Sequence, residues 1–389
     1  MVLSLRRDRI AGGVTAAAAV AVFLGCWTVL HHWFYAHHRL VDTPIYQGYG
    51  NAIDHGLVPY RDFPVEYPPG ALPVFAAPIY LYGYAAYAQV FGWIMAALGV
   101  ACILAAAAAG ASARALAFIA VSPLLIGSMA LSRYDFWPAF LVVLALVLLL
   151  RDRHRSGWVA LGAAFVAKGF ALVLVPVALA WTLRRRGARE LAVSLSLGLT
   201  LVAAAVVPFA ILAPHGLWHS VSGQVSRPLQ IETLGASFLT TFSHPEVINT
   251  HGSFNVANEG AVAAATTVVE LLVLITLWVA FARGPAVHDR FVRYSAACVC
   301  VFVALGKVLS PQFLIWLVPL VPLVRGLRGA VASVLLAAAL IATAIFFPKR
   351  YFEYVFHLDL AWLVLLRNLI LVALLVTLSL PAREPERSS

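Results

Sequence analysis

Apolar runs long enough to cross a membrane alternate with short polar intervals along almost the whole chain. A helix rises about 1.5 Å per residue, so about 20 apolar residues cross a ~30 Å hydrocarbon core. The first run, Ile10 to Phe34, meets that length and follows Arg6, Arg7 and Arg9. It is longer than the roughly 7–15-residue core of a signal peptide and reads as a retained first span. Residues 84–110, 115–131, 136–150, 190–213, 260–282, 330–347 and 360–380 predict further helices. Residues 70–82 are short, roughly 20 Å of helix, and read as a partial helix leading into the second span.

One polar interval, Asp42 to Pro73, interrupts the N-terminal part of this pattern. It carries Asp42, Asp54, Asp62, Glu66, Arg61 and the tyrosines Tyr46, Tyr49, Tyr60 and Tyr67, and it stops at Pro68-Pro69. Tyr46, Tyr49 and Ile53 recur at helical spacing before Gly56. Residues 43–55 therefore predict a short amphipathic helix at a membrane surface.

Lys and Arg are retained on the cytoplasmic side of membrane proteins, and that bias threads the runs. It places both termini inside and the loop 35–83 outside, with a second long outer loop at 214–258. Trp158–Trp181 lies between two basic loops, 151–155 and Arg184–Arg186, which should share a face. The segment therefore predicts a hairpin of two short helices, 157–168 and 170–183, with Lys168-Gly169 at its tip. Backbone that turns inside a membrane must be buried in protein or line a wet cavity. A second hairpin follows, 294–309 and 312–324, turning at Lys307 and Ser310-Pro311. The expectation is an all-α, polytopic membrane protein of about twelve apolar helices in a single domain, 1–389. Most acids, Asp135 and Glu232 among them, fall on the outer side, which places the chemistry there.

Composition agrees. With 62% hydrophobic and 11% charged residues, the chain is excluded from the soluble class, where charged residues make up roughly 25%. The net charge of +10 raises nucleic acid as a partner, but the basic residues are distributed by membrane side and form no patch, so membrane lipids are expected and nucleic acid is not. Cys26, Cys102, Cys298 and Cys300 lie inside apolar runs and read as small buried hydrophobes.

An intramembrane charge costs about 2.5–3.5 kcal/mol, so Lys168 and Lys307 call for partners. The partner is either an anion such as a lipid phosphate, with Arg133 as a further donor, or a structural one: an acid such as Asp135, or exposed hairpin carbonyls. Glu270 and Arg367, both deep in apolar runs, are expected to pair with each other. The acids of the outer stretch suit a general base that removes a hydroxyl proton as a new bond forms. Asp42, nearest the end of the first span, is the best placed, although any of these acids also serves as a solvated residue or a cap. His31, His32, His37 and His38 cluster at the outer end of that span, where interfacial histidines are common, and no metal site is expected. Walker, Rossmann and Ser-His-Asp patterns are not evident, which sets aside nucleotide hydrolysis and serine chemistry.

Four stretches together resemble the GT-C class of integral-membrane glycosyltransferases, in particular glycosyltransferase family 87, the polyprenol-phosphate-mannose-dependent α-1,2-mannosyltransferases. They are Asp42-Thr-Pro-Ile-Tyr46 with Gly56-Leu-Val-Pro-Tyr60 and Glu66-Tyr-Pro-Pro-Gly70; Arg133-Tyr-Asp135 with Pro138; Gly162 to Lys168 with Pro176; and Ser310-Pro-Gln312 with Trp316 and Pro319. The resemblance implies a cell-membrane enzyme, active on the outer face, that passes a sugar, mannose in that family, from a polyprenyl phosphate to a hydroxyl of a glycolipid or glycan acceptor. The lipid-linked sugar is then a substrate and no cofactor is implied. Asp42 occupies the place of the family's proposed base, and Lys168 and Arg133 match positions lining its cavity. Tyr46, Tyr60, Arg61, Glu66, Asp135, Lys307 and Gln312 complete the expected substrate-binding set. Where relatives often carry an aromatic residue and a proline directly after the lysine, this chain has Gly169-Phe170 and delays the proline to Pro176. The other reading is a lipid or solute transporter that uses the same cavity without making bonds.

Overall fold

The computed structural model describes residues 2–34 and 42–380, and the side chains of 12–33 and 42–380. His37 and His38 lie outside these residues. The chain is an all-α membrane protein with one small β-hairpin. Six helical stretches among the described residues are long and apolar enough to cross a membrane: Gly12–Trp33, Tyr87–Ala108, Gly169–Leu212, Gly260–Arg283, Gly326–Phe346 and Ala361–Ser379. Ala113–Ile126, Phe136–Leu150 and Pro311–Leu323 are apolar but shorter. The six are what length and composition establish; the expected total of about twelve apolar helices also counts hairpin arms shorter than a span.

In chain order the N-terminal half holds α1 (Val2–Val29), α2 (Thr43–Asp54), α3 (Leu72–Tyr82), α4 (Tyr87–Ala108), α5 (Ala113–Ile126), the single turn α6 (Met129–Ser132), α7 (Phe136–Leu150), α8 (His154–Ala167) and α9 (Val175–Leu212). Then come α10 (Pro214–Val225), α11 (Leu234–Phe242), strands β1 (Val247–Thr250) and β2 (Ser253–Val256), α12 (Gly260–Arg283), α13 (His288–Leu305), α14 (Gly326–Phe346), α15 (Tyr351–His357) and α16 (Ala361–Ser379). One continuous core, with Phe23, Trp27, Phe91, Phe136, Trp181 and Trp316 fully buried, joins the helices. Leu271, Leu272 and Ile275 on α12, Val334 and Ile341 on α14, and Leu369 and Val376 on α16 face outward. An apolar exterior of this extent is a lipid-facing surface.

The expected first hairpin is present. Lys168 ends α8 in an extended conformation (φ −163°, ψ 125°), a 3-10 turn follows over Gly169–Leu174, and α9 then runs antiparallel to α8. Gly162 and Gly198 let α8 and the part of α9 beyond Gly187 approach backbone to backbone: a Cβ on Gly162 would sit 2.8 Å from the Gly198 oxygen, and one on Gly198 the same 2.8 Å from the Trp158 oxygen. Gly187, with φ 81° and ψ 176°, breaks α9 just after the arginines. That left-handed φ is one that glycine adopts without strain. The long apolar stretch is thus two helices meeting at a kink. The two basic loops come together at one end of the bundle, where Asp152 takes Arg185 at 3.3 Å and Arg186 at 3.5 Å and Arg155 forks onto Glu190 at 3.0 Å.

Three expectations are corrected. The helix at 43–55 forms as α2 but does not lie free on a surface: Gly50 seats it against α3, where a Cβ would meet the Phe75 oxygen at 2.5 Å, and Tyr46 is fully buried beneath it. The second hairpin rises as α13, but its return arm is not an α-helix; 3-10 turns cover Pro311–Trp316 and Val321–Leu323, because Pro311, Pro319 and Pro322 remove backbone donors. Residues 214–258 are a folded cap and not an open loop. There α10 and α11 are followed by the antiparallel pair β1–β2, in register Val247↔Val256.

Candidate functional site

Asp42 stands immediately before α2, and its peptide oxygen starts the helix by accepting from the Ile45 and Tyr46 N–H groups. Thr43 Oγ1 donates to the Ser132 oxygen at 3.4 Å, which holds this corner against the turn after α6. The same turn delivers Arg133, whose guanidinium forms an ion pair with the Asp42 carboxylate. Tyr46 Oη also donates to that carboxylate, at 3.4 Å. Asp42 is thus oriented from two sides while about a fifth of its side chain stays exposed (22%).

Beneath it lies a packed aromatic layer. Tyr46 stacks on Phe75 at 4.4 Å and meets Tyr67 and Tyr134 edge-on at 5.6 and 5.8 Å. Its ring is a floor for the site and offers no open sugar platform, which corrects its assignment as a direct binder; its hydroxyl positions Asp42. Tyr60 is buried too and gives its hydroxyl to the Tyr67 oxygen at 2.6 Å. Tyr60 therefore packs and does not present itself to a ligand.

Two residues after Arg133, Asp135 is completely buried. Its Oδ1 accepts from Lys168 Nζ at 2.6 Å and from Trp316 Nε1 at 2.7 Å, and its Oδ2 has no protein partner. The ammonium of Lys168 also lies over the rings of Tyr134 (4.7 Å), Trp316 (4.9 Å) and Phe313 (5.1 Å). Phe170, next to the hairpin tip, stacks on Trp316 at 3.8 Å. The structure thus gives Lys168 the acidic partner that was one of its two expected fates. Some 14% of its side chain remains exposed.

Arg133 and Arg227 are the cations within electrostatic reach of Lys168. Arg227 comes from the cap, where it donates to the His251 oxygen at 3.0 Å. Lys168 thus has cations from two other elements within its reach, and one of them, Arg133, is the residue paired with Asp42. Gln312 is buried in the 3-10 turn that also carries Phe313 and Trp316.

The remaining expected residues lie apart. Arg61 is spent on the adjacent Asp62 at 2.9 Å; that hydrogen bond, with the Val58 N–H, brings the exposed Asp62 carboxyl down to about 2. Glu66 is exposed and faces the β-hairpin, 3.3 Å from where a Cβ on Gly252 would stand. Lys307 Nζ donates to the Val225 oxygen at 2.8 Å, tying the hairpin to the end of α10. Glu270 and Arg367 do not pair. The cation acting on Glu270 is Lys307, while Arg367 Nη2 and Asn368 Nδ2 both grip the peptide oxygen of Glu232, at 2.9 and 3.0 Å.

Glu232 and Tyr351 were missed as partners of this region. Glu232 is buried, accepts from Tyr351 Oη at 2.7 Å and keeps Oε2 without a protein partner. Both groups lie within electrostatic reach of Arg133. Burial pushes the Glu232 carboxyl up to about 7, against the Tyr351 hydrogen bond and the charge of Arg367. In sequence Glu232 is one of two acids in the polar loop 214–258, and nothing there marks it as buried.

A carboxylate fixed at a helix start, next to convergent cations on a rigid aromatic floor, is equipped to take a proton from a hydroxyl while an anion is held nearby. No family model matches the chain, and no curated protein matches it in sequence.

Proposed function

We propose that the protein is a membrane-embedded glycosyltransferase that moves a sugar from a polyprenyl-phosphate donor to an acceptor hydroxyl, with mannose the first donor sugar to test. The observation that supports this reading is the Asp42–Arg133 ion pair, with Lys168 within electrostatic reach of Arg133 and of Arg227. In the reaction, the acceptor oxygen bonds to the sugar's anomeric carbon as the bond from that carbon to the phosphate oxygen breaks. The acceptor proton passes to Asp42, and the electron pair of the broken bond stays on the lipid phosphate. Arg133 and Arg227 stabilise that growing charge directly, which is where preorganised donors act most strongly. Lys168, held by Asp135, lies within electrostatic reach of Arg133. The resemblance to family 87 adds the substrate class.

The same proposal includes the threading: a GT-C-like bundle of about twelve apolar helices, with the site on the outer face and both termini cytoplasmic. Purified protein in lipid vesicles, incubated with labelled polyprenyl-phosphate mannose and a cell-envelope glycolipid extract, should release free polyprenyl phosphate and label the acceptor. Movement of intact donor across the vesicle membrane with no release would replace this reading with transport.

A further inference from the structure

At the end of the bundle opposite Asp42, the ends of α4 and α7 meet the start of α13 and the turn before α14 around a cavity of about 350 Å³. That volume suits a small ligand or a headgroup. Its polar lining is Gly110, Arg151, His288, Asp289 and Arg325, with Leu323 among the apolar walls. Arg151 spends one N–H on the Ala108 oxygen at 2.7 Å. His288 Nε2 lies 3.2 Å from the Leu150 oxygen, a contact in which only the nitrogen can donate. Arg325 meets Asp289, the single acid of the lining, at 3.5 Å, and its other guanidine nitrogen passes over bare Gly110 backbone.

Each guanidinium carries five N–H groups, so most of the donors around this cavity are uncommitted, and two arginines face one carboxylate. Leu327, two residues beyond Arg325, is 82% exposed, and Leu104, one turn before the end of α4, is 52% exposed. The cavity thus has a cationic lining beside an apolar, lipid-facing shoulder. Capping the ends of α4 and α7 uses Arg151 and His288, whereas Arg325 caps neither helix and meets only Asp289 among the described residues, at 3.5 Å.

We propose that this cavity binds an anionic phosphate group, carried by a phospholipid headgroup or by a soluble phosphate ester, with Arg325 and Arg151 as its donors. Paired N–H groups of a guanidinium match phosphate oxygens in a two-pronged hydrogen bond, and Asp289 competes for the same arginine. The site is independent of the chemistry proposed at Asp42.

The test uses the full chain in nanodiscs of phosphatidylcholine alone or mixed with phosphatidylglycerol, with retained lipids counted by native mass spectrometry. The wild type should retain phosphatidylglycerol in preference to phosphatidylcholine. Arg325→Gln should lower that preference about tenfold, the effect of losing one charge-assisted hydrogen-bond pair. Asp289→Asn should raise it by freeing Arg325. In a second arm, inorganic phosphate is titrated at constant ionic strength while melting is followed. A rise in midpoint that Arg325→Gln abolishes identifies a soluble phosphate as the ligand class, whereas lipid preference without that rise identifies the headgroup. If neither arm depends on Arg325, and Asp289→Asn tightens nothing, the proposal is overturned. Should Arg325→Gln fail to fold, the Asp289→Asn result decides alone.

Discussion

Lys168→Ala removes the ammonium that neutralises Asp135, a carboxylate with no solvent exposure at all. Trp316 Nε1 remains at 2.7 Å as a single neutral donor to Oδ1, and Oδ2 already lacks a protein partner. Breaking a buried pair from one side strands the other charge and costs about 3–5 kcal/mol. Loss of the cation from the Tyr134, Phe313 and Trp316 rings adds up to about 2 kcal/mol for a desolvated contact. Asp135→Asn strands the lysine in the same way, although the exposed fraction of Lys168 lets water recover part of that loss. The double variant Lys168→Met with Asp135→Asn leaves no uncompensated charge and should recover much of the stability. Melting in detergent, followed by size-exclusion chromatography of heated samples, reads all three. Strong destabilisation of each single variant with recovery in the double is the expected pattern. Unchanged melting of Lys168→Ala, with donor binding lost, would refute the reasoning and make Lys168 a substrate ligand whose contact with Asp135 is incidental.

Glu232 gives a pH signature. A carboxyl held near 7 when folded and near 4.5 when unfolded binds its proton more tightly in the native state. Its contribution to stability is therefore greatest at acid pH and is lost as pH rises from 4.5 through about 7, on the order of 3 kcal/mol in total. Glu232→Gln should flatten the pH dependence of melting in that window, and an unchanged slope would assign the dependence elsewhere. Gly198→Leu, which drives a side chain into the Trp158 oxygen at 2.8 Å, should destabilise the packing of α8 on the part of α9 beyond Gly187 by about 1–3 kcal/mol, whereas Gly223→Leu, in open space on α10, should melt as wild type. For the threading, cysteines placed at Ser156 and Arg189 in a cysteine-free background should resist an impermeant reagent added from outside; labelling of either would reverse the orientation.

Much of the helical frame is legible in the sequence because a membrane imposes run length and charge bias on each segment separately. The end of α7 at Leu150, the Lys168 tip and the start of α2 at Thr43 all follow from local pattern. Long-range pairing does not. Asp135 was one of two candidate partners for Lys168, and the spacing contains nothing that brings Trp316 to the same oxygen. Arg367 and Glu270 look equivalent as charges in apolar runs, yet Arg367 is drawn to the cap and Glu270 to Lys307. The cap itself, 214–258, is polar enough to read as a loop, since its order comes from docking onto the bundle through Tyr351, Tyr354, Arg367 and Asn368. Periodicity marks Tyr46 as interfacial and cannot tell whether lipid, sugar or another aromatic ring covers it.

The central claim, that Asp42 accepts a proton as a sugar leaves a lipid phosphate, is tested most directly by single-turnover cleavage of labelled polyprenyl-phosphate mannose by the wild type and Asp42→Asn, with donor binding measured in parallel. The account predicts that Asp42→Asn binds donor within a few-fold of wild type while cleavage slows roughly 10²–10⁴-fold. Equal cleavage rates in the two proteins, or no cleavage by the wild type with any acceptor while intact donor crosses the membrane, would contradict it.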